Sequence, residues 1–141
     1  MGKGIPRTKG IPRTDVLVTL MGSPHGSDLV TSVLRLVEEM LRQDASVQVW
    51  ACGYATMLTQ EGLGESKPRN LAHWSGDYPS TVTVIRGLLA ANPGRLHWYG
   101  CRFCSDERGA VAHIPEVRLR APSAFAENVA AADKTLYVGV L

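Results

Sequence analysis

Cys101 and Cys104 stand three residues apart in the run His97-Trp98-Tyr99-Gly100-Cys101-Arg102-Phe103-Cys104-Ser105-Asp106-Glu107-Arg108-Gly109. Leu96, Trp98 and Tyr99 predict a strand, and Gly100 releases the backbone before the first thiol. Ser105 is a good helix N-cap, and Asp106 and Glu107 suit the positive first turn of a helix. The run thus predicts a strand, a tight turn carrying both thiols, and a short helix through Val111. A thiol at such a junction is held as thiolate by the free N–H groups of the helix and by Arg102 or Arg108, and the thiolate is the form that reacts. A Cys-x-x-Cys pair beside a βαβ pattern is a redox signature, whereas the competing assignment is a pair of buried, inert cysteines.

The elements that would position this turn can be read along the chain. Asp15 to Met21 is a nearly continuous apolar run, as a strand covered on both faces requires. Gly22 to Ser27 turns the chain, and Leu29, Val30, Val33, Leu34, Val37, Met40 and Leu41 follow at helical spacing. The turn lacks both Gly-x-Gly-x-x-Gly and Gly-Lys-Ser/Thr, so it carries no phosphate-loop signature. His25 lies at the carboxyl end of the strand, where it would orient or deprotonate a substrate, or else stand as an exposed loop residue. Val47 to Cys52 is the second strand, with Cys52 read as a buried structural thiol.

Residues 54–79 lack a sustained period apart from a short helix over Ala55 to Glu61. A connection of that length is functional or mobile, and it predicts either a lid over the cysteine turn carrying His73, Trp74 and Tyr78 or a loop that packs Trp74. Ser80 as N-cap and Asn92-Pro93-Gly94 as terminator predict a helix between them. Strands follow at Arg95 to Tyr99, Glu116 to Leu119 and Thr135 to Leu141, with a helix from a Ser123 cap through Ala132. Five strands alternating with helices give an α/β, doubly wound, mostly parallel sheet with helices on both faces.

The 141 residues, 45% hydrophobic and 20% charged, suit one compact domain over 15–141. Residues 1–14 contain Lys-Gly-Ile-Pro-Arg-Thr twice and read as a disordered basic tail. Lys3, Arg7, Lys9 and Arg13 belong to that tail; taking these four from the 15 basic residues leaves 11, against 13 acidic ones. The body therefore carries no composition signal for nucleic acid or an anionic membrane. No apolar run approaches the roughly 20 residues of a membrane span. Three cysteines, an odd set, and an opening without a secretory pattern point to a reducing cytoplasm.

Cys101-Arg102-Phe103-Cys104-Ser105-Asp106-Glu107-Arg108-Gly109 resembles the DsrE/TusD-like sulfur-relay family. Members of that family place a persulfide-forming cysteine after the third strand and an Arg-Gly pair at this distance downstream, and one branch has a second cysteine at the position of Cys104. The first strand, the Gly22 to Gly26 turn and Ala132-Asp133-Lys134 before the last strand are similar too. The resemblance implies a flavodoxin-like fold, assembly into trimers or hexamers, and sulfane sulfur carried as a persulfide between donor and acceptor proteins or small thiols. It makes Cys101 the accepting nucleophile and Cys104 a resolving thiol, with no metal or organic cofactor. The sequence departs from the family in its 54–79 connection and in Asp106 and Glu107, which oppose a nearby thiolate. Three other readings stand beside it. One is a zinc site using Cys101 and Cys104 with two of His97, His113, His73 or Cys52. The others are a binding or assembly subunit that passes no sulfur, and thiol–disulfide exchange of the thioredoxin kind.

Overall fold

The computed structural model of the chain describes residues 11–68 and 71–139. Among them, β1 (Thr14–Met21), α1 (Asp28–Arg42) and β2 (Val47–Cys52) lead into two 3-10 segments, Gly53–Thr59 and Glu61–Leu63. Then come α2 (Thr81–Ala91), β3 (Leu96–Cys101), α3 (Arg102–Glu107), β4 (Arg118–Arg120), a 3-10 turn Pro122–Ala124, α4 (Phe125–Ala130) and β5 (Ala132–Val138). The strands form one sheet in the order β4-β3-β2-β1-β5, parallel throughout. This is the flavodoxin-like, doubly wound α/β architecture expected, with a core on each face.

The two faces differ in depth, because side chains alternate along each strand. On one face Val18, Leu20, Val49 and Trp98 meet Val30, Val33, Leu34 and Val37 of α1 and Ile85 of α2. Ser27 and Ser80 start those helices, their hydroxyls accepting from the N–H of Leu29 (3.3 Å) and Thr83 (3.4 Å). The other face holds Leu17, Trp50, Tyr99 and Cys101 under only the short α4, whose Phe125 meets Trp50 edge-on at 5.1 Å. A buried amide pair completes this second layer. Gln48 Nε2 donates to Thr14 Oγ1 (3.1 Å) and to the Asn128 carbonyl (3.0 Å), and Asn128 Nδ2 donates back to Gln48 Oε1 (2.8 Å).

Several expected boundaries move. Of the 1–14 tail, residues 1–10 lie outside the described residues, while 11–14 belong to the body: Ile11 is buried against Leu17 and Trp50, Arg13 pairs with Asp133, and Thr14 opens β1. Apolar burial and a sheet partner outweigh the local glycine and proline content. The helix after the cysteines stops at Glu107 rather than Val111, with Gly109 at φ 68° reversing the chain. The short fourth strand is Arg118–Arg120 rather than Glu116 to Leu119. Ser123 lies inside a 3-10 turn and caps nothing, and the last strand begins at Ala132, drawn forward by parallel pairing of Ala132 with Thr14.

The 54–79 connection is held at several points. Its first part coils as 3-10 helix against α3, and Lys67 and Tyr78 are joined by a 2.8 Å backbone bond near a Ser66–Pro79 bridge. Tyr78 lines a cavity with Leu34 of α1 and Leu88 of α2, on the opposite face from Cys101. For Tyr78 the lid reading is therefore corrected: it is not among the residues lining the thiol cleft.

Asn128→Ala leaves the buried Gln48 carbonyl oxygen without its donor, which costs about 1–3 kcal/mol. The expected result is a lower urea midpoint with an unchanged slope, partly restored when Gln48→Leu is added. An unchanged midpoint for Asn128→Ala would show that the amide pair contributes nothing.

Candidate functional site

β2 and β3 are neighbours in parallel register, with Ala51 opposite Gly100. The next residue on each strand is a cysteine, so the sheet itself sets Cys52 beside Cys101. Gly100 permits a close approach of β4, since a Cβ there would lie 3.0 Å from Leu119 Cδ2. Cys101 is both the last residue of β3 and the N-cap of α3, with φ −71° and ψ 120°. The tight turn expected between strand and helix is absent. Cys104 accordingly sits in the first turn of α3, where its Sγ lies 3.8 Å from Cys52 Sγ.

Ser105, expected to cap the helix, is instead buried within it. Its hydroxyl is 3.0 Å from His113 Nε2, whose Nδ1 is 2.8 Å from Thr59 Oγ1. His113 therefore ties α3 to the 3-10 turn that follows β2, and burial lowers its pKa, keeping the ring neutral with one donor and one acceptor nitrogen. Ser105 and His113 are eight residues apart in a stretch without helical period, and no sequence pattern joins them.

Burial dominates the electrostatics of Cys101 and Cys52. It raises the pKa of Cys101, which is 2% exposed, while the N–H groups of Cys104 and Phe103 act on its sulfur in the opposite direction and favour the thiolate. The Cys104 thiol also acts on it. Burial pushes Cys52 up to about 11, with Cys104 and then Cys101 adding to the shift.

The Arg108 guanidinium lies 4.6 Å from the centre of the Tyr54 ring and pairs with Glu107 at 3.4 Å. Arg102 lines a cavity of about 260 Å³ with Arg118 and Arg120. Arg108 and Glu107 are thus engaged with each other, and Arg108 with Tyr54.

Cys52 and Cys101 line a cleft of about 180 Å³ walled by Trp50, Pro122, Phe125 and Tyr137. Thr19 completes the lining; it is 1% exposed, and its hydroxyl has no hydrogen-bond partner among the described residues. Sequence reasoning did not bring Thr19 to the site, and it named Cys52 only as a structural thiol or a zinc ligand. The signal for Cys52 was its place at the end of a strand adjacent to the one that ends in Cys101. His25 stands elsewhere, at φ 59°, lining a separate cavity with Ser27 and Lys67 near the start of α1; burial and then Lys67 lower its pKa. It does not line the thiol cleft.

Two histidines of the zinc arrangement are engaged elsewhere. Both nitrogens of His113 are engaged, and His97 Nε2 is 3.2 Å from the Gly94 carbonyl. Among the described residues, no group of three or more His, Cys, Asp or Glu side chains is arranged to hold a metal ion, and no helix is long and apolar enough to cross a membrane.

Fold and site together define a doubly wound α/β domain with a three-thiol cluster at the carboxyl ends of its central strands. No family model matches the chain, and no curated protein matches it in sequence. Among solved structures it is similar to the YchN protein from E. coli, with a TM-score of 0.68 and 23% sequence identity over 87% of this chain and 97% of that one. At that identity the likeness shows the fold.

A thiol at about pKa 11 is almost wholly protonated at pH 8. Alkylation of Cys52 by short iodoacetamide pulses should therefore rise about tenfold per pH unit from pH 8 to pH 10, as read by peptide mass mapping. A plateau near pH 9 would contradict the burial of this thiol.

Proposed function

We propose that the protein is a sulfur carrier that accepts sulfane sulfur as a persulfide on Cys101 and delivers it to an acceptor thiol. The observation that carries this reading is the position of Cys101, at a strand-to-helix junction with two backbone N–H groups acting on its sulfur and an apolar cleft in front of it. The resemblance of Cys101 to Gly109 to the DsrE/TusD-like family supports the same assignment.

The chemistry needs only thiols. The Cys101 thiolate attacks the outer sulfur of a donor persulfide R–S–SH, the S–S bond breaks, and RS⁻ leaves, giving Cys101–S–SH. An acceptor thiolate then attacks the outer sulfur of that persulfide, takes it, and returns the Cys101 thiolate. The N–H groups of Phe103 and Cys104 stabilise the sulfur anion that departs in this second step. The walls of Trp50, Phe125 and Tyr137 keep water from the persulfide, and the Thr19 hydroxyl can hydrogen-bond to its sulfur chain.

Donor and acceptor are proteins or small thiols. Three free cysteines suit a reducing cytoplasm. Assembly into trimers or hexamers is supported by the edge strand β5, where Leu136 and Tyr137 remain 39% and 64% exposed. The same exposed edge favours a second reading, in which the fold serves chiefly as an assembly subunit.

Intact mass after incubation with glutathione persulfide tests the proposal. Cys104→Ala should gain and keep one sulfur, Cys101→Ala should gain none, and wild type should gain it only transiently before Cys104 displaces it as sulfide. Because burial raises the pKa of Cys101, the rate of gain should keep climbing with pH above the ordinary thiol range. Uptake that survives Cys101→Ala, or no uptake in Cys104→Ala, would overturn the carrier assignment.

A further inference from the structure

We infer that Cys52 is the third working thiol of the site, and that an oxidising equivalent arriving at Cys101 ends as a disulfide between Cys52 and Cys104. The chemistry through Cys101 rests on the carrier reading above; the pairing of Cys52 with Cys104 rests on geometry alone. Cys104 Sγ is 3.8 Å from Cys52 Sγ across 52 residues of sequence, so the two sulfurs are already in van der Waals contact. Their side chains come from different elements, a strand end and a helix turn. Bonding requires the two sulfurs to close from 3.8 Å to about 2 Å.

The order of events follows from accessibility and from the stabilisation of each sulfur. Cys101 is buried, whereas Cys52 and Cys104 are partly exposed. The Cys104 thiolate attacks the inner sulfur of Cys101–S–SH, the S–S bond breaks, and HS⁻ leaves, giving a Cys101–Cys104 disulfide. The Cys52 thiolate then attacks Cys104 Sγ of that disulfide, forming Cys52–S–S–Cys104 and releasing the Cys101 thiolate. Each step exchanges one S–S bond for another, and thiol protons leave to solvent, so no further oxidant is required.

The second exchange is favoured because Cys101 leaves to a position where the N–H groups of Phe103 and Cys104 act on its anion. Cys52 has only the Gly53 N–H and is the more strongly disfavoured as a thiolate. Of two thiols competing for Cys104, the one less stabilised when reduced holds its sulfur more firmly in a disulfide. The product lies at the accessible side of the cluster. There a small external thiol can reduce it, while Cys101 is ready for another sulfur.

Two experiments on the full chain separate this inference from the carrier role. In the first, the reduced protein is treated with oxidised glutathione, alkylated and digested without reduction. Glutathione disulfide supplies the oxidising equivalent by forming a mixed disulfide at Cys104 that Cys52 then displaces. Wild type and Cys101→Ser should both yield a peptide pair linked through Cys52 and Cys104. A Cys101–Cys104 link in wild type with no link in Cys101→Ser, or only glutathione adducts in both, would overturn the inference.

In the second, protein loaded from glutathione persulfide is mapped in the same way. Wild type should end with Cys52 joined to Cys104 and Cys101 free, whereas Cys52→Ser should stop at Cys101–Cys104. Wild type stopping at Cys101–Cys104 would remove Cys52 from the sequence of exchanges. Should loading fail altogether, the first experiment still decides the Cys52–Cys104 pairing, and only the carrier assignment falls.

Discussion

The junction at Cys101 is the constraint around which the site is organised. One residue ends a strand and caps a helix without an intervening loop, so the backbone leaves the sheet with its N–H groups already turned toward the sulfur. A charged side chain could supply a stronger field, but it would need space in a layer closed by Trp50, Tyr99 and Phe125. Backbone dipoles occupy no additional volume. They also cannot swing away, because His113 fixes the helix through Ser105 to the turn after β2.

The second determinant is parallel pairing between β2 and β3. Adjacent parallel strands end side by side about 4.8 Å apart, so two chain positions separated by almost 50 residues become neighbours without any local signal. Gly100 lets β4 close onto β3, where Arg120 pairs in register with Cys101. The thinness of the second face matters equally. A long helix there would have sealed the cleft, whereas the six residues of α4 leave Cys101 and Cys52 a common space with Thr19.

Local pattern carried much of the fold. The apolar run of β1, the helical spacing in α1 and the serine caps of α1 and α2 each reflect burial or a backbone hydrogen bond that neighbouring residues encode. What escaped was decided by distant partners. Ile11 and Thr14 leave the apparent tail because β5, Trp50 and Gln48 receive them, and Ser105 abandons a cap position for a histidine eight residues on. At the site, Cys101 and Cys104 were legible from their spacing. Cys52 was legible only as a strand end; its small apolar neighbours pointed to a structural thiol, and the sulfur contact with Cys104 depends on strand order and on the helix beginning early.

The central claim is that the buried thiol, and not its more accessible neighbours, carries the added sulfur. The direct measurement is fragmentation mass spectrometry of donor-loaded, alkylated Cys104→Ala protein, in which the resolving thiol is absent, locating the extra sulfur atom by peptide. The account predicts an alkylated persulfide on the peptide containing Cys101, with none on Cys52. An alkylated persulfide found on Cys52, or on both thiols alike, would contradict it.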